Sequence, residues 1–251
     1  MPAFTCDVCT NVVLEAEDFD DHVTMVLDHF TEAHPQFGLT ERQVRNYLER
    51  MPVLSPDTER LPEIGNVEVK PLSADLVDDV LAFFDRDAFA GKPEWASCYC
   101  MAHHVSGGET GEDWGGRSWR DNRNEIAERI RAGTTQGMVA YCEGRIVAWC
   151  NASPRCRFPD YARDDGADES TGVVACFAVA PTHRGHGIAK RLLDAVIEAS
   201  PAGGITAIEA HPANDVQDAG AAYRGTIPLY REHGFDVVHE GKRTTVVRRE
   251  L

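Results

Sequence analysis

From residue 67 onward, apolar positions switch back and forth between two periods. Val67-Glu-Val-Lys-Pro71 alternates, which predicts a strand. After Ser73, a helix-capping residue type, Leu76, Val77, Val80, Leu81 and Phe84 recur at helical spacing and predict a helix with one apolar face. Ser118 to Ala132 repeats that period. Gly137–Cys142 and Arg145–Ala152 read as strands joined by Glu143-Gly144, a hairpin turn. Val173–Val179 is a further strand, and residues 186–199 predict a helix presenting Ile188, Leu192, Leu193, Val196 and Ile197 to a core. A strand over Ile205–Ala210, a helix over Ile227–Glu232 and strands near 235–239 and 243–249 complete the pattern. Two irregular stretches interrupt it: 90–117, rich in Gly, Trp, Cys and His, and an acidic loop over 154–170. Alternation of strands and helices predicts an α/β or α+β layer fold.

The first 66 residues follow no such pattern. Residues 1–50 hold a cysteine pair, a His-rich helical stretch and a second helix that opens at Thr40-Glu41-Arg42-Gln43. That opening is a capping box, in which the Thr hydroxyl and the Gln side chain satisfy unpaired N–H groups. Residues 51–66 carry three prolines and no period, so they read as a linker. The expected organisation is a small Cys/His domain (1–50), a linker (51–66) and a large domain (67–251).

Charge narrows the partners. The net charge is −16, and residues 1–66 hold 13 acids against four arginines and no lysine. Nucleic-acid binders carry basic patches that neutralise phosphates, so nucleic acid is not an expected partner. Lysine occurs only at 70, 92, 190 and 242, and an acidic, lysine-poor surface of this kind resembles adaptation to high salt. The longest apolar run, Val173 to Ala180, falls far short of the ~20 residues that span a bilayer, so no membrane is expected. The N-terminus shows no signal-peptide pattern, and cytoplasmic localisation is the expectation. Cys142, Cys150 and Cys176 lie in apolar strands and read as small buried hydrophobes rather than disulfide partners.

The segment with the most chemistry runs from Val173 through Arg184-Gly185-His186-Gly187-Ile188-Ala189. A buried strand enters a turn and the turn enters a helix. Gly187 and Ala189 let the backbone approach a bulky anion closely. The unpaired N–H groups of a helix N-terminus bind phosphate, and Arg184 adds a charged fork. The spacing fits neither a P-loop nor a dinucleotide-binding Rossmann turn.

Arg184-Gly-His-Gly187-Ile-Ala189, preceded by Val179-Ala-Pro181, resembles the cofactor signature of the GCN5-related N-acetyltransferase (GNAT) superfamily. Leu229-Tyr230-Arg-Glu-His-Gly234-Phe235 resembles a second motif of that superfamily. The resemblance runs from about Val67 to Leu251 and implies a mixed, mostly antiparallel sheet flanked by helices. It implies an acyltransferase that moves an acetyl group from acetyl-CoA to an amine acceptor by direct attack in a ternary complex. Residues Phe177, Ala178 and Val179 would hold the pantetheine arm, 184–189 the pyrophosphate, and Asn214 would contact the arm. Tyr230 would be the general acid that protonates the departing thiolate, with Tyr223 as competitor. Many members place a Glu on the strand before the cofactor loop, where this chain has Cys176-Phe177. That leaves Glu209 and His211, two apart and so on one face of the next strand, as candidate bases. The rival reading is a non-catalytic acyl-CoA sensor whose Cys/His unit docks a partner protein. A homodimer is compatible with both.

Cys6-x2-Cys9 followed by His22, His29 and His34 points to a structural Zn2+ site. Cys9-x12-His22 has the usual arm length, but His22 and His29 are too far apart along the chain. His29-x4-His34 has the usual His spacing, and Cys6, Cys9, His29 and His34 are the preferred set. A unit of 50 residues gains stability from such a metal. Cys98, Cys100, His103 and His104 form a cluster of poor metal spacing; the family resemblance covers Cys98 and Cys100 and implies a lining of the acceptor pocket there.

Overall fold

The structure, a computed structural model, describes residues 3–6, 8, 9, 12–105, 112–159, 161, 169–217 and 221–251. The two ends of the 154–170 stretch fall among them; residues 160 and 162–168 lie outside.

The large unit is built on a mixed sheet. Its strands are β3 (Val67–Pro71), β4 (Gly137–Cys142), β5 (Arg145–Pro154), β6 (Thr171–Val179), β7 (Ala207–Ala210), β8 (Asp236–Glu240) and β9 (Thr245–Glu250). Among the described residues their order is β3-β4-β5-β6-β7-β9-β8, antiparallel throughout except for the parallel β6–β7 pair. The expected mixed, mostly antiparallel fold flanked by helices is what forms.

The helices of this unit are α3 (Val77–Arg86), α4 (Glu112–Gly115), α5 (Trp119–Arg131), α6 (Ile188–Ala199) and α7 (Ile227–Glu232). Val77, Val80, Leu81 and Phe84 of α3 pack with Ile126 and Ile130 of α5 against one face of the sheet. Ile188, Leu192, Leu193 and Val196 of α6 cover the other, joined by Tyr230 and Phe235. Strand β4 shows why its sequence is apolar throughout. Met138, Ala140 and Cys142 enter the α6-side core, while Val139 and Tyr141 enter the α3-side core. A sheet covered on both faces removes the polar alternation that one solvated face would leave.

Several boundaries differ from expectation, each for a local reason. After Ser73 the chain makes a 3-10 turn at Ala74–Leu76, so α3 starts at Val77. Helix α6 starts at Ile188 rather than 186, because Gly185 and Gly187 both hold left-handed φ values of 77° and 74°. Strand β7 is shorter than Ile205–Ala210, since the Ile205 N–H turns back to the Ser200 carbonyl. The stretch expected as an acidic loop opens with two core residues, Arg155 and Phe158, both buried.

The N-terminal unit pairs β1 (Phe4–Thr5) with β2 (Val13–Leu14) and adds α1 (Phe19–Ala33) and α2 (Glu41–Arg50). Its core is small: Phe4, Cys6, Val23, Val26, Val44 and Leu48. The capping box at Thr40 and Gln43 forms as expected. Helix α2 also ties the unit to the sheet domain. The buried Arg50 guanidinium donates to the carbonyls of Phe84, Asp85 and Ala96, at 3.2, 2.6 and 3.3 Å. Asn46 donates to the Arg117 carbonyl (2.9 Å) and accepts from the Trp119 N–H (3.0 Å).

The segment 51–66 has no strand, yet it is fixed at several points. The Ser55 N–H donates to the Arg86 carbonyl, and the Leu61 N–H to the Thr182 carbonyl, both at 2.9 Å.

Candidate functional site

Strand β6 positions the site. It pairs with β7 only from Thr171 to Val174, opposite Ala207 to Ala210. On its other side it follows β5 as far as Val179. The pairing with β5 slips at one point, where Asn151 faces Cys176 and Ala152 faces Val174, leaving Ala175 as an extra residue. Such a bulge bends its strand, and β6 parts from β7 just there. Residues 175–179 therefore present one backbone edge that no β7 residue pairs.

A cavity of about 700 Å³ opens along that edge. Cys176, Phe177, Ala178 and Val179 line it, together with Arg184, Gly185, Gly187, Ile188 and Ala189 of the glycine loop. Gly187 is the N-cap of α6 and supplies no side-chain cap, and the first helical bond runs from the Arg191 N–H to the Gly187 carbonyl. The N–H groups of the first turn are thus directed at the cavity end of the loop, where the helix dipole favours an anion. The Arg184 Nε donates to the Val179 carbonyl at 3.1 Å, which joins the loop to the end of β6. His186 faces outward and bonds the Leu61 carbonyl through Nε2 at 2.9 Å.

The opposite wall comes from Trp95, Cys98, Cys100 and His103 of the irregular stretch and from Tyr223 and Gly225. Tyr99 and Cys100 sit at φ values of 46° and 59°, two consecutive non-glycine residues in the left-handed region. That conformation costs ~1–2 kcal/mol per residue, and fixed contacts hold it. The Tyr99 hydroxyl donates to Asp85 at 2.5 Å, and the Asn151 amide donates to the Cys100 sulfur at 3.3 Å. The Cys100 thiol alongside it, and burial, push the Cys176 thiol well above its ordinary pKa. His103 is pushed down to about 3, by burial first and then by Arg224, so its imidazole is neutral. Cys98, Cys100 and His103 of the expected cluster line this cavity, whereas Tyr99 did not stand out in the sequence: a left-handed Tyr-Cys pair has no compositional signal.

The remaining expected residues divide. The Tyr230 ring is fully buried behind the cavity wall, and its hydroxyl donates to the Arg224 carbonyl at 2.8 Å. Burial holds that phenol well above its ordinary pKa. Gly225 of the cavity lining packs on it: a Cβ there would lie 2.8 Å from the hydroxyl oxygen. Tyr223 is on the wall itself, its ring 5.6 Å from Trp95 and 6.0 Å from His103. Glu209 is buried and its carboxylate meets Arg248 at 2.9 Å and Arg155 at 3.6 Å. His211 stacks on Tyr161 at 4.6 Å, and Tyr161 stacks on His103 at 5.7 Å. The Asn214 side chain turns to the β8–β9 connection, donating to Gly241 and accepting from Thr245 at 2.9 and 2.8 Å.

In the N-terminal unit, Cys6, Cys9, His29 and His34 place one donor atom each within 4.8 Å of one another. The His34 Nε2 lies 3.4 Å from the Cys6 sulfur and 3.0 Å from the Cys9 sulfur. The His29 Nε2 is buried with no hydrogen-bond partner among the described residues. His22 is elsewhere, its Nε2 bonded to the Leu14 carbonyl at 3.1 Å. Cys98, Cys100, His103 and His104 form no such group among the described residues.

The family model described as "Acetyltransferase (GNAT) family" matches residues 101–235, more than half of the chain. No curated protein matches the chain. Among solved structures, the chain is similar to PaiA N-acetyltransferase from Thermoplasma acidophilum in complex with coenzyme A, at 12% identity over 74% of this chain and 99% of that one, TM-score 0.46. It is similar to ribosomal-protein-alanine N-acetyltransferase from Brucella melitensis, at 17% identity over 73% and 99%, TM-score 0.45. It is also similar to a GCN5-related N-acetyltransferase from Kribbella flavida, at 16% identity over 74% and 98%, TM-score 0.44.

Proposed function

Because the chain belongs to the GNAT acetyltransferase family, we propose that it transfers an acetyl group from acetyl-CoA to a primary amine held in the cavity beside β6. The observation that carries this reading is the open edge of β6 leading to the Gly185–Gly187 loop within one cavity. The pantetheine arm would bond the main chain of Phe177 to Val179, and the pyrophosphate would meet the loop and the first turn of α6. A β6 N–H directed at the thioester carbonyl stabilises the oxyanion. The amine nitrogen attacks the carbonyl carbon, the C–S bond breaks, and the thiolate takes a proton.

Tyr230 is the proposed proton donor, because its hydroxyl lies just behind Gly225 of the cavity wall and burial keeps its proton on. Tyr223 is the second reading, favoured by its place on the wall. The amine gives up its proton to His211, the proposed base, whose ring stacks on Tyr161 beside His103 of the cavity wall. Glu209, the other candidate base, is engaged by the guanidinium groups of Arg155 and Arg248. The walls that receive the amine come from Trp95, Cys98, Cys100 and His103.

Cys6, Cys9, His29 and His34 would hold a structural Zn2+, since two thiols and two imidazoles are a tetrahedral zinc set and the unpartnered His29 Nε2 points into it. Four protein ligands close such a site, so its contribution is folding energy.

The test follows free thiol during incubation with acetyl-CoA and a panel of amines. Amine-dependent release is expected, with kcat reduced about a hundredfold or more in Tyr230→Phe and little changed in Tyr223→Phe. The reverse pattern transfers the role to Tyr223. Tight CoA binding without turnover across the panel overturns the transferase reading.

A further inference from the structure

The segment between the two units lies across the glycine loop. Both backbone groups of Leu61 are engaged there, the N–H by the Thr182 carbonyl and the carbonyl by His186, each at 2.9 Å. Thr58 packs on Gly91, where a Cβ would come within 2.8 Å of its methyl group. Between these two anchors, the Arg60 guanidinium rests on Gly185 and reaches its carbonyl at 3.5 Å. A Cβ on Gly185 would lie 2.8 Å from the guanidinium carbon, so this glycine admits the arginine as well as the turn.

Arg60 is exposed, and no carboxylate of the described residues pairs with it, although the chain carries a net charge of −16. Arg45, Arg117, Arg123, Arg129 and Arg248 pair with carboxylates, and Arg50, Arg191 and Arg249 donate to backbone carbonyls. A planar guanidinium held by its flanking backbone next to the first turn of α6 matches the geometry of a phosphate. We propose that Arg60 is a phosphate-binding residue of the acetyl-CoA site, delivered to the 184–189 loop by the segment that joins the N-terminal unit to the sheet domain. The assignment rests on the acetyl-CoA reading above.

Calorimetric titration of the full chain tests it, comparing wild type, Arg60→Ala and Arg60→Lys with CoA, dephospho-CoA and pantetheine. Arg60→Ala is expected to weaken CoA binding about tenfold and to flatten its salt dependence. Pantetheine binding is expected to stay unchanged, and Arg60→Lys to recover part of the loss. An equal loss with dephospho-CoA supports contact with the pyrophosphate; a loss seen only with CoA supports contact with the 3′-phosphate. Unchanged CoA affinity in Arg60→Ala overturns the assignment, as does an equal loss for pantetheine. Wild-type protein that binds no CoA overturns the acetyl-CoA reading itself, and the assignment with it. Because Arg60 is exposed, an unaltered melting temperature in Arg60→Ala confirms that the variant is folded.

Discussion

The two candidate sites of this protein are built in opposite ways. The loop at 184–189 is contiguous, and its chemistry resides in backbone N–H groups that two left-handed glycines and a helix start orient together. The Cys/His cluster draws side-chain donors from a turn, the middle of α1 and the residue after its end. The first site is a property of local conformation and would survive many side-chain changes. The second exists only where a small core of six buried residues brings 6, 9, 29 and 34 together. One site therefore depends on backbone freedom, the other on tertiary assembly, and substitutions separate them.

The largest effect is expected at the cluster. If the cluster holds zinc as proposed, Cys6→Ser or Cys9→Ser removes a ligand and is expected to abolish the bound equivalent of zinc, measured by elemental analysis. It removes on the order of 10 kcal/mol of metal-linked folding energy, so amide protection in α1 should be lost while that of α6 persists. Retention of zinc by both variants breaks the four-ligand assignment.

Acid provides the next effect, at the cavity wall. His103 is held down to about 3 and His104 to about 4, mainly by burial, against an ordinary value of 6.5. As pH falls below about 6.5 the unfolded chain binds protons that the folded chain refuses, so stability declines from there down toward pH 3–4. Thermal melts between pH 7 and 4.5 should show this slope. The double variant His103→Gln/His104→Asn should flatten it relative to wild type. An unaltered slope removes these imidazoles as its cause.

Smaller effects separate the two glycines. Both Gly185→Ala and Gly187→Ala pay ~1–2 kcal/mol for a left-handed alanine. A Cβ at 187 meets nothing within 4 Å, whereas at 185 it meets Arg60. CoA titration should therefore show a larger loss for Gly185→Ala. Equal losses would mean that backbone strain alone matters. Smallest of all, His22→Ala should cost about 1–3 kcal/mol in stability through its lost buried hydrogen bond yet leave zinc content at one equivalent.

The sequence by itself determined the order of elements, because a period of two or of 3.6 is set by the backbone and needs no partner. It also determined the left-handed glycine turn at 185 and 187 and the capping box at Thr40–Gln43, since each is a local conformation. Tertiary structure brought Cys6, Cys9, His29 and His34 within 4.8 Å of one another and placed His22 on the Leu14 carbonyl, because a distance through space is not specified by spacing along a chain. It decided that 51–66, read from its prolines as a linker, is pinned against Thr182 and His186, by hydrogen bonds that span 121 and 125 residues of chain. It also placed Asn214 toward Gly241 and Thr245, and set Tyr161 between His103 and His211. Those placements arise from burial and from contacts distant in sequence, and no local pattern of residue types encodes them.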